Sequence, residues 1–293
     1  MLRDALNFLR ISRPSNVLIS FLAFGVAAFI SQDKSWAFLT DSVFWATALC
    51  IIVIAASGYW INDVYDFRID RVNKPGKTIV NAYLSVKKVL TVYFFVIGGI
   101  LLFSFVFLGF ISKLYHIFFI NALSVALLFF YASYLKRIGV PGNLSIAFLI
   151  ALVILLAGYL YEVNSPLVWT MIFAFEITLI REITKDVEDI RGDLQFELRT
   201  LPIQIGIRRT KYILQFFYIC FLLSCYIPFI YAYFRVDKLI WPYIGVSFLL
   251  VQLPTVYVMY LLANAVKPED FGKQSRYLKY IMLGGIASLF FLY

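Results

Sequence analysis

Two stretches of the chain repeat one pattern of aspartates: NDVYDFRID from Asn62 to Asp70, and KDVEDIRGD from Lys185 to Asp193. Asp63, Asp66 and Asp70 share the spacing of Asp186, Asp189 and Asp193, and steps of i, i+3 and i+7 fall on one face of a helix. Each stretch sits where an apolar run ends. Ionisable groups cost roughly 2.5–3.5 kcal/mol each at the bilayer centre on insertion scales, so clusters of them at membrane ends mark function by default. Hard divalent cations take oxygen ligands, and Mg²⁺ is usually held by one or two carboxylates together with substrate phosphates. Two carboxylate faces therefore point to a shared metal site and to diphosphate chemistry. The competing reading is a solvated loop whose acids pair with Arg68, Arg71, Lys185 and Arg191.

A diphosphate held this way still needs basic donors. Lys74 and Lys77 follow the first motif in KPGK, Lys136 and Arg137 close the fourth apolar run, and Arg199 precedes Thr200–Pro202 after the second motif. Lys136 is the preferred diphosphate contact. Arg13 and Asn16 form another polar pair where the first apolar run begins, and Asn62 can complete a metal shell or bond a phosphate. Each cation alone also reads as a membrane-edge anchor, because Lys and Arg at helix ends snorkel to the interface.

The elements that must position these residues are membrane helices. The chain has 293 residues, 62% of them hydrophobic and 15% charged, with a mean hydropathy of +0.85, far from the roughly 45–50% apolar share of soluble domains. Runs long enough to span, about 17–25 residues with their ends, lie near Asn16–Ile30, Val43–Ile61, Val89–Phe110, Leu114–Tyr134, Leu144–Tyr161, Leu167–Ile180, Tyr212–Phe234, Leu239–Ala263 and Tyr277–Tyr293. Continuous runs exclude a membrane barrel, which would show short segments of alternating polarity. The expected fold is all-α and polytopic, with nine transmembrane helices around a central cavity. The motifs follow the second and sixth runs, so the chain reads as a four-helix unit used twice with a ninth helix added. No linker or soluble module interrupts it, and one domain over 1–293 is expected.

With the N-terminus inside, 22 of the 26 Lys and Arg residues fall on the inner side, leaving Lys34, Lys113, Arg235 and Lys238 outside. By the positive-inside rule both aspartate motifs then face the cytoplasm. Nothing in Met1–Pro14 resembles a cleaved signal, so a retained, cytoplasmic N-terminus is expected in what reads as a prokaryotic inner-membrane protein. The net charge of +9 is spread over membrane-edge loops rather than gathered in one soluble module, which argues for anionic lipid and phosphate as partners and against nucleic acid. Cys50, Cys220 and Cys225 lie inside apolar runs without metal-ligand spacing and read as core. His116 starts the fourth run on the outer side, far from the carboxylates. The 30 Phe and 20 Tyr suit the walls of an isoprenoid site, where an allylic cation is stabilised over a π face, although aromatic residues are also ordinary in membrane helices.

On these motifs the chain resembles the UbiA superfamily of intramembrane prenyltransferases, which carry NDxxDxxxD after the second helix and a second aspartate-rich motif after the sixth. Asn62, Asp63, Asp66 and Asp70 match the first; Asp189 and Asp193, preceded by Asp186, match DxxxD in the second. The resemblance implies that Mg²⁺ held by both motifs binds the diphosphate of an isoprenoid donor, whose ionisation leaves an electrophilic carbon for the acceptor. It assigns metal and diphosphate binding to Asn62, Asp66, Asp189 and Asp193, and leaves Asp63, Asp70 and Asp186 to orient donors or take the acceptor's proton. REITKDVEDIRGD followed by RTLPIQIG looks most like family members acting on a glycerol-phosphate ether. Lys77 and Asn81 depart from the usual Arg and Gly, and FELRTLP lacks a common glycine. Within the class the alternative acceptor is an aromatic quinone precursor. Outside it stand a secondary transporter and a silent lipid-binding scaffold.

Overall fold

The computed structural model describes residues 2–236 and 240–292, with side chains described for 3–234 and 240–292. Met1, Lys238 and the expected span ends at Leu239 and Tyr293 fall outside the described residues, as does the Arg235 side chain. The described residues are mostly helical, and their nearest approach to a sheet is a single bridge between Val80 and Leu84.

An amphipathic helix α1 (Leu2–Ile11) precedes α2 (Pro14–Ser31), α3 (Ser42–Asn73), α4 (Val86–Phe103), α5 (Tyr115–Ser133), α6 (Val140–Leu160) and α7 (Ser165–Glu188). Then follow α8 (Ile190–Gln195), α9 (Leu201–Ile205), α10 (Ile207–Ser224), α11 (Ile227–Tyr231), α12 (Trp241–Ser247), α13 (Leu253–Asn264) and α14 (Pro268–Leu289). Several starts are written locally. Asp41 accepts from the Val43 N–H at 2.8 Å and Asn164 from the Leu167 N–H at 3.0 Å, satisfying first-turn donors that have no helical partner. Pro14, Pro141, Pro166, Pro202 and Pro268 occupy first-turn positions, where a missing N–H costs nothing.

Among the described residues, seven helical stretches are both long and apolar enough to cross a membrane. They are α2, α3, α4 with the π-helical turn Ser104–Ile111, α5, α6, the stretch Ile207–Phe234 and the stretch Trp241–Asn264. Helices α7 and α14 have the length to span, with 24 and 22 residues, but charges in the turns at one end of each lower their hydropathy. Seven, against the nine expected, therefore meet both criteria among the described residues, and α7 and α14 are two further helices of spanning length in the bundle. The lipid-facing surface is apolar in turn: Phe95 is 83% exposed and Phe234 74% exposed, a pattern stable only against hydrocarbon.

The packing follows the repeat. In the first unit α3 packs on α2, α4 and α5; in the second, α7 packs on α6 and α10, with α14 laid along it. The units meet where α2 crosses α6. One apolar core, around Phe24, Phe44, Cys50, Ile54 and Ile117, fills the first unit and reaches Ile154 on α6, and another, around Ile180, Val187, Tyr218, Val258 and Phe271, fills the second. The three cysteines are unpaired; Cys50 and Cys225 are core residues as expected, while Cys220 is only half-buried on α10.

Candidate active site

Two joints bring the motifs together. The last turns of α3 carry the first motif, and α8 begins one residue beyond the Asp189 cap of α7. At the foot of α3 the Gly192 N–H donates to Asn73 Oδ1 at 2.6 Å. A Cβ at position 192 would stand 2.6 Å from Asn73 Nδ2, so the absence of a side chain permits this contact. The second joint is the α5–α6 turn, where Gly139 takes φ 78° against the Arg199 carbonyl. The Arg199 N–H donates to the Arg137 carbonyl at 2.8 Å, which ties the turn bearing Lys136 to the loop after the second motif.

Between these joints lies a cavity that opens to the surface. Its mouth is polar, lined by Arg13, Asn16, Asn62, Asp66, Asp70, Lys74, Lys136, Arg181, Glu182, Lys185 and Asp189. Its interior is apolar, lined by Ile51, Ile54, Leu128, Leu149, Val153 and Leu156. From Asp66 back to Ile51 the axis of α3 runs about 22 Å at 1.5 Å per residue. A site with a charged entrance and a long greasy interior accepts an anion with a hydrocarbon tail.

Cations bridge the carboxylates across the mouth. Lys74 Nζ stands 3.4 Å from Asp70 and 3.2 Å from Asp189, linking the first motif to the second. Lys136 pairs with Asp66, which also accepts from Asn62 Nδ2 at 2.8 Å. Burial works against the Lys136 ammonium, but Asp66 beside it holds the group well above the ordinary lysine range. The same contest at Lys74 is decided upward by Asp189 and Asp70. Asp193, 2% exposed on α8, is pushed up to about 7 by burial, with Lys136 opposing.

The residues singled out in the sequence divide into three groups. Asn62, Asp66, Asp70, Asp189, Lys74, Lys136, Arg13 and Asn16 line one cavity. Asn16 donates to Tyr59 Oη at 3.1 Å. Asp63 turns to the adjoining groove shared with Lys77, where it accepts from Arg13 Nη2 at 2.7 Å. Asp186 accepts from Asn143 Nδ2 at 2.8 Å behind the wall, near Asp193. Arg137 and Arg199 do not line the cavity among the described residues, and contribute the backbone joint above. The sequence reading passed over Tyr59, Asn73, Asn143, Tyr131, Arg181 and Glu182. A signal was available for Arg181: with Lys185 and Asp189 it forms an i, i+4, i+8 row on α7.

The donor set suits a hard divalent cation shared with a bound anion. Among the described residues no three carboxylate, histidine or cysteine groups close around a common point as a ready-made cage. Carboxylates of both motifs do lie within reach of one Lys74 ammonium, a position where positive charge is already favoured. Mg²⁺ typically takes one or two protein carboxylates and completes its shell with water and substrate phosphate; the oxygens of Asn62, Asp66 and Asp189 stand at the mouth and are of that kind, whereas Asp193 is buried on α8 and is not among the residues lining the cavity.

A polytopic helical bundle with a polar mouth over an apolar cavity defines an integral membrane protein built to handle an amphipathic anion. The chain belongs to the UbiA prenyltransferase family, whose profile it matches over residues 17–278. It is 31% identical to the digeranylgeranylglyceryl phosphate synthase of Methanosphaera stadtmanae, over 94% of this chain and 95% of that one. Against the synthase of the same name from Sulfurisphaera tokodaii the figures are 32% identity over 80% of each chain. A solved structure concerned with digeranylgeranylglyceryl phosphate synthase in membranes superposes with a TM-score of 0.69 at 22% identity, over 98% of this chain and 99% of that one. A UbiA homologue from Archaeoglobus fulgidus bound to GPP and Mg²⁺ gives 0.66 at 16% identity, over 97% and 99%.

Proposed function

We propose that the whole chain, 1–293, works as one Mg²⁺-dependent prenyltransferase domain that moves a prenyl group from an isoprenoid diphosphate to the hydroxyl of a glycerol-phosphate ether such as geranylgeranylglyceryl phosphate. The observation that carries this reading is the meeting of both aspartate motifs at the polar mouth of one apolar cavity. The names of the similar synthases support the acceptor. The basic asymmetry of the loops supports a cytoplasmic N-terminus and mouth, and the archaeal sources of the similar synthases support a prokaryotic cell membrane.

The chain's own residues divide the work. Arg13, Lys74 and Lys136 donate to the diphosphate oxygens, while Ile54, Leu128 and Val153 pack the hydrocarbon and keep water from the reacting carbon. Asn62, Asp66, Asp189 and Asp193 would hold a divalent metal, which when bound would supply charge neutralisation for the leaving diphosphate. The allylic C–O bond breaks with its electron pair leaving on diphosphate, the acceptor oxygen bonds to that carbon, and its proton passes to a carboxylate. Asp70 is the best placed of the three candidates, since it alone of them lines the cavity and its contact with Lys74 is long at 3.4 Å, whereas Arg13 holds Asp63 at 2.7 Å and Asn143 holds Asp186 at 2.8 Å.

The test is to incubate membranes holding the protein with Mg²⁺, geranylgeranyl diphosphate and a panel of acceptors, and to identify products by mass. A prenylated glycerol-phosphate ether supports the reading; a prenylated naphthoate, hydroxybenzoate or homogentisate points to a quinone precursor instead. Uptake driven by a gradient without diphosphate release points to transport.

A further inference from the structure

Besides the lysines that pair with the aspartates, the cavity wall holds a second cationic group. Arg181 Nη1 stands 3.0 Å from one Glu182 oxygen and Lys185 Nζ 2.7 Å from the other. All three side chains line the cavity, and Glu182 is buried. One carboxylate is thus divided between two cations, and Arg181 Nε is buried without a hydrogen-bond partner. Lys279 on α14 and Arg13, at the cap ahead of α2, add positive charge that bears on the same group. The neighbouring acids are engaged elsewhere: Asp186 is held by Asn143, and Glu188 points to Gly272 on α14. Positive charge in surplus on a low-dielectric wall is costly unless an anion joins it.

Resting on the reaction proposed above, two phosphorylated groups must be recognised at once. The donor diphosphate belongs with the metal and the aspartates. The acceptor's phosphate carries a charge of about −1.5 to −2 and three acceptor oxygens, so it is repelled by that acidic face and needs a cationic one. Along α7, Lys185 is about 6 Å and Arg181 about 12 Å from Asp189 at 1.5 Å per residue. On a glycerol frame the phosphate and the reacting hydroxyl are only a few bonds apart, so a phosphate at Lys185 leaves the hydroxyl beside the diphosphate site. We propose that Arg181 and Lys185, gathered by Glu182, form the subsite for the phosphomonoester of the acceptor. Arg181 offers its planar fork to two phosphate oxygens and Lys185 a point charge to the third. Glu182 is a positioning residue that holds both in register.

The experiment uses the purified full chain with Mg²⁺, geranylgeranyl diphosphate and two acceptors: the glycerol-phosphate ether and the same ether lacking phosphate. Arg181→Gln, Arg181→Lys and the pair Glu182→Gln with Lys185→Gln are compared, the pair leaving no unpaired buried carboxylate behind. With Arg181→Gln and with the pair, KM for the phosphorylated acceptor should rise about 10- to 100-fold, the range for a lost charge-assisted hydrogen bond. Donor KM and KM for the phosphate-free ether should stay near parent values, and Arg181→Lys should recover part of the loss. An unchanged KM for the phosphorylated acceptor, or equal rises for both acceptors, overturns the assignment. Failure of the parent protein itself to prenylate either glycerol ether would instead overturn the reading on which the assignment rests.

Discussion

Lys136→Met isolates the contribution of the cation that meets Asp66. In the present structure Lys136 neutralises a carboxylate whose side chain is 6% exposed; with donor bound, its ammonium is placed to meet charge developing on the departing diphosphate. Loss of one such preorganised donor costs about 2.7–4 kcal/mol, or roughly 10²–10³ in kcat. A second effect has the opposite sign. Without the ammonium, Asp66 lacks its compensating charge and attracts a divalent cation more strongly, so half-saturation by Mg²⁺ should stay level or fall while kcat drops. The metal-free variant should also melt earlier, because breaking a buried pair costs up to about 3–5 kcal/mol and Lys136, 22% exposed, loses only part of that to solvent. Diphosphate release across a Mg²⁺ titration, together with thermal unfolding with and without Mg²⁺ and donor, reads all three. A kcat within about twofold of the parent, or a Mg²⁺ requirement rising in step with the lost activity, would refute the role given to Lys136.

Three further outcomes follow from particular contacts. Gly192→Val should push α8 away from Asn73, costing about 1–3 kcal/mol by overpacking and lowering kcat with modest change in donor KM, as read by melting and turnover. Ile54→Trp should plug the apolar interior, so that turnover with a long prenyl donor falls while a short donor is still used; equal loss with both donors would contradict the path drawn for the tail. Asp270 accepts from the Val266 and Lys267 N–H groups at 3.1 and 3.0 Å ahead of the spanning part of α14, and these bonds hold its carboxyl below the usual range. Its capping contribution is present above the unfolded value near 4 and lost as pH falls through the depressed folded value. Amide exchange in the first turn of α14 should accelerate only under that acid condition, and Asp270→Asn should remove the pH dependence.

Much of this arrangement is legible in the chain because membrane helices announce themselves by length and hydropathy, and a cluster of charges at their ends has few cheap explanations. The sidedness proposed for the motifs rests on where Lys and Arg fall. Other features depend on tertiary contacts that a one-dimensional pattern lacks. The i, i+3, i+7 rule treats Asp186, Asp189 and Asp193 as one face, yet α7 ends at Glu188 and α8 sets off from Asp189, so the three serve different positions. Asp63 and Asp66 lie one turn apart on α3, but Arg13 draws the first into the groove while Lys136 meets the second in the cavity. Arg181 and Glu182 sit inside the sixth apolar helix and looked like its edge; the packing of α2, α6 and α14 around α7 turns them into cavity wall.

The central claim is that both motifs share one cation with one diphosphate. The most direct measurement is Mn²⁺ binding by the purified protein, with and without an unreactive isoprenoid diphosphate analogue, in the parent, Asp66→Asn, Asp189→Asn and the double variant. A shared site requires that the analogue strengthen Mn²⁺ binding in the parent, that either substitution remove most of that gain, and that the double variant lose little more, the non-additivity expected of groups acting on one ligand. Full enhancement surviving in either single variant, or losses that simply add, would contradict it.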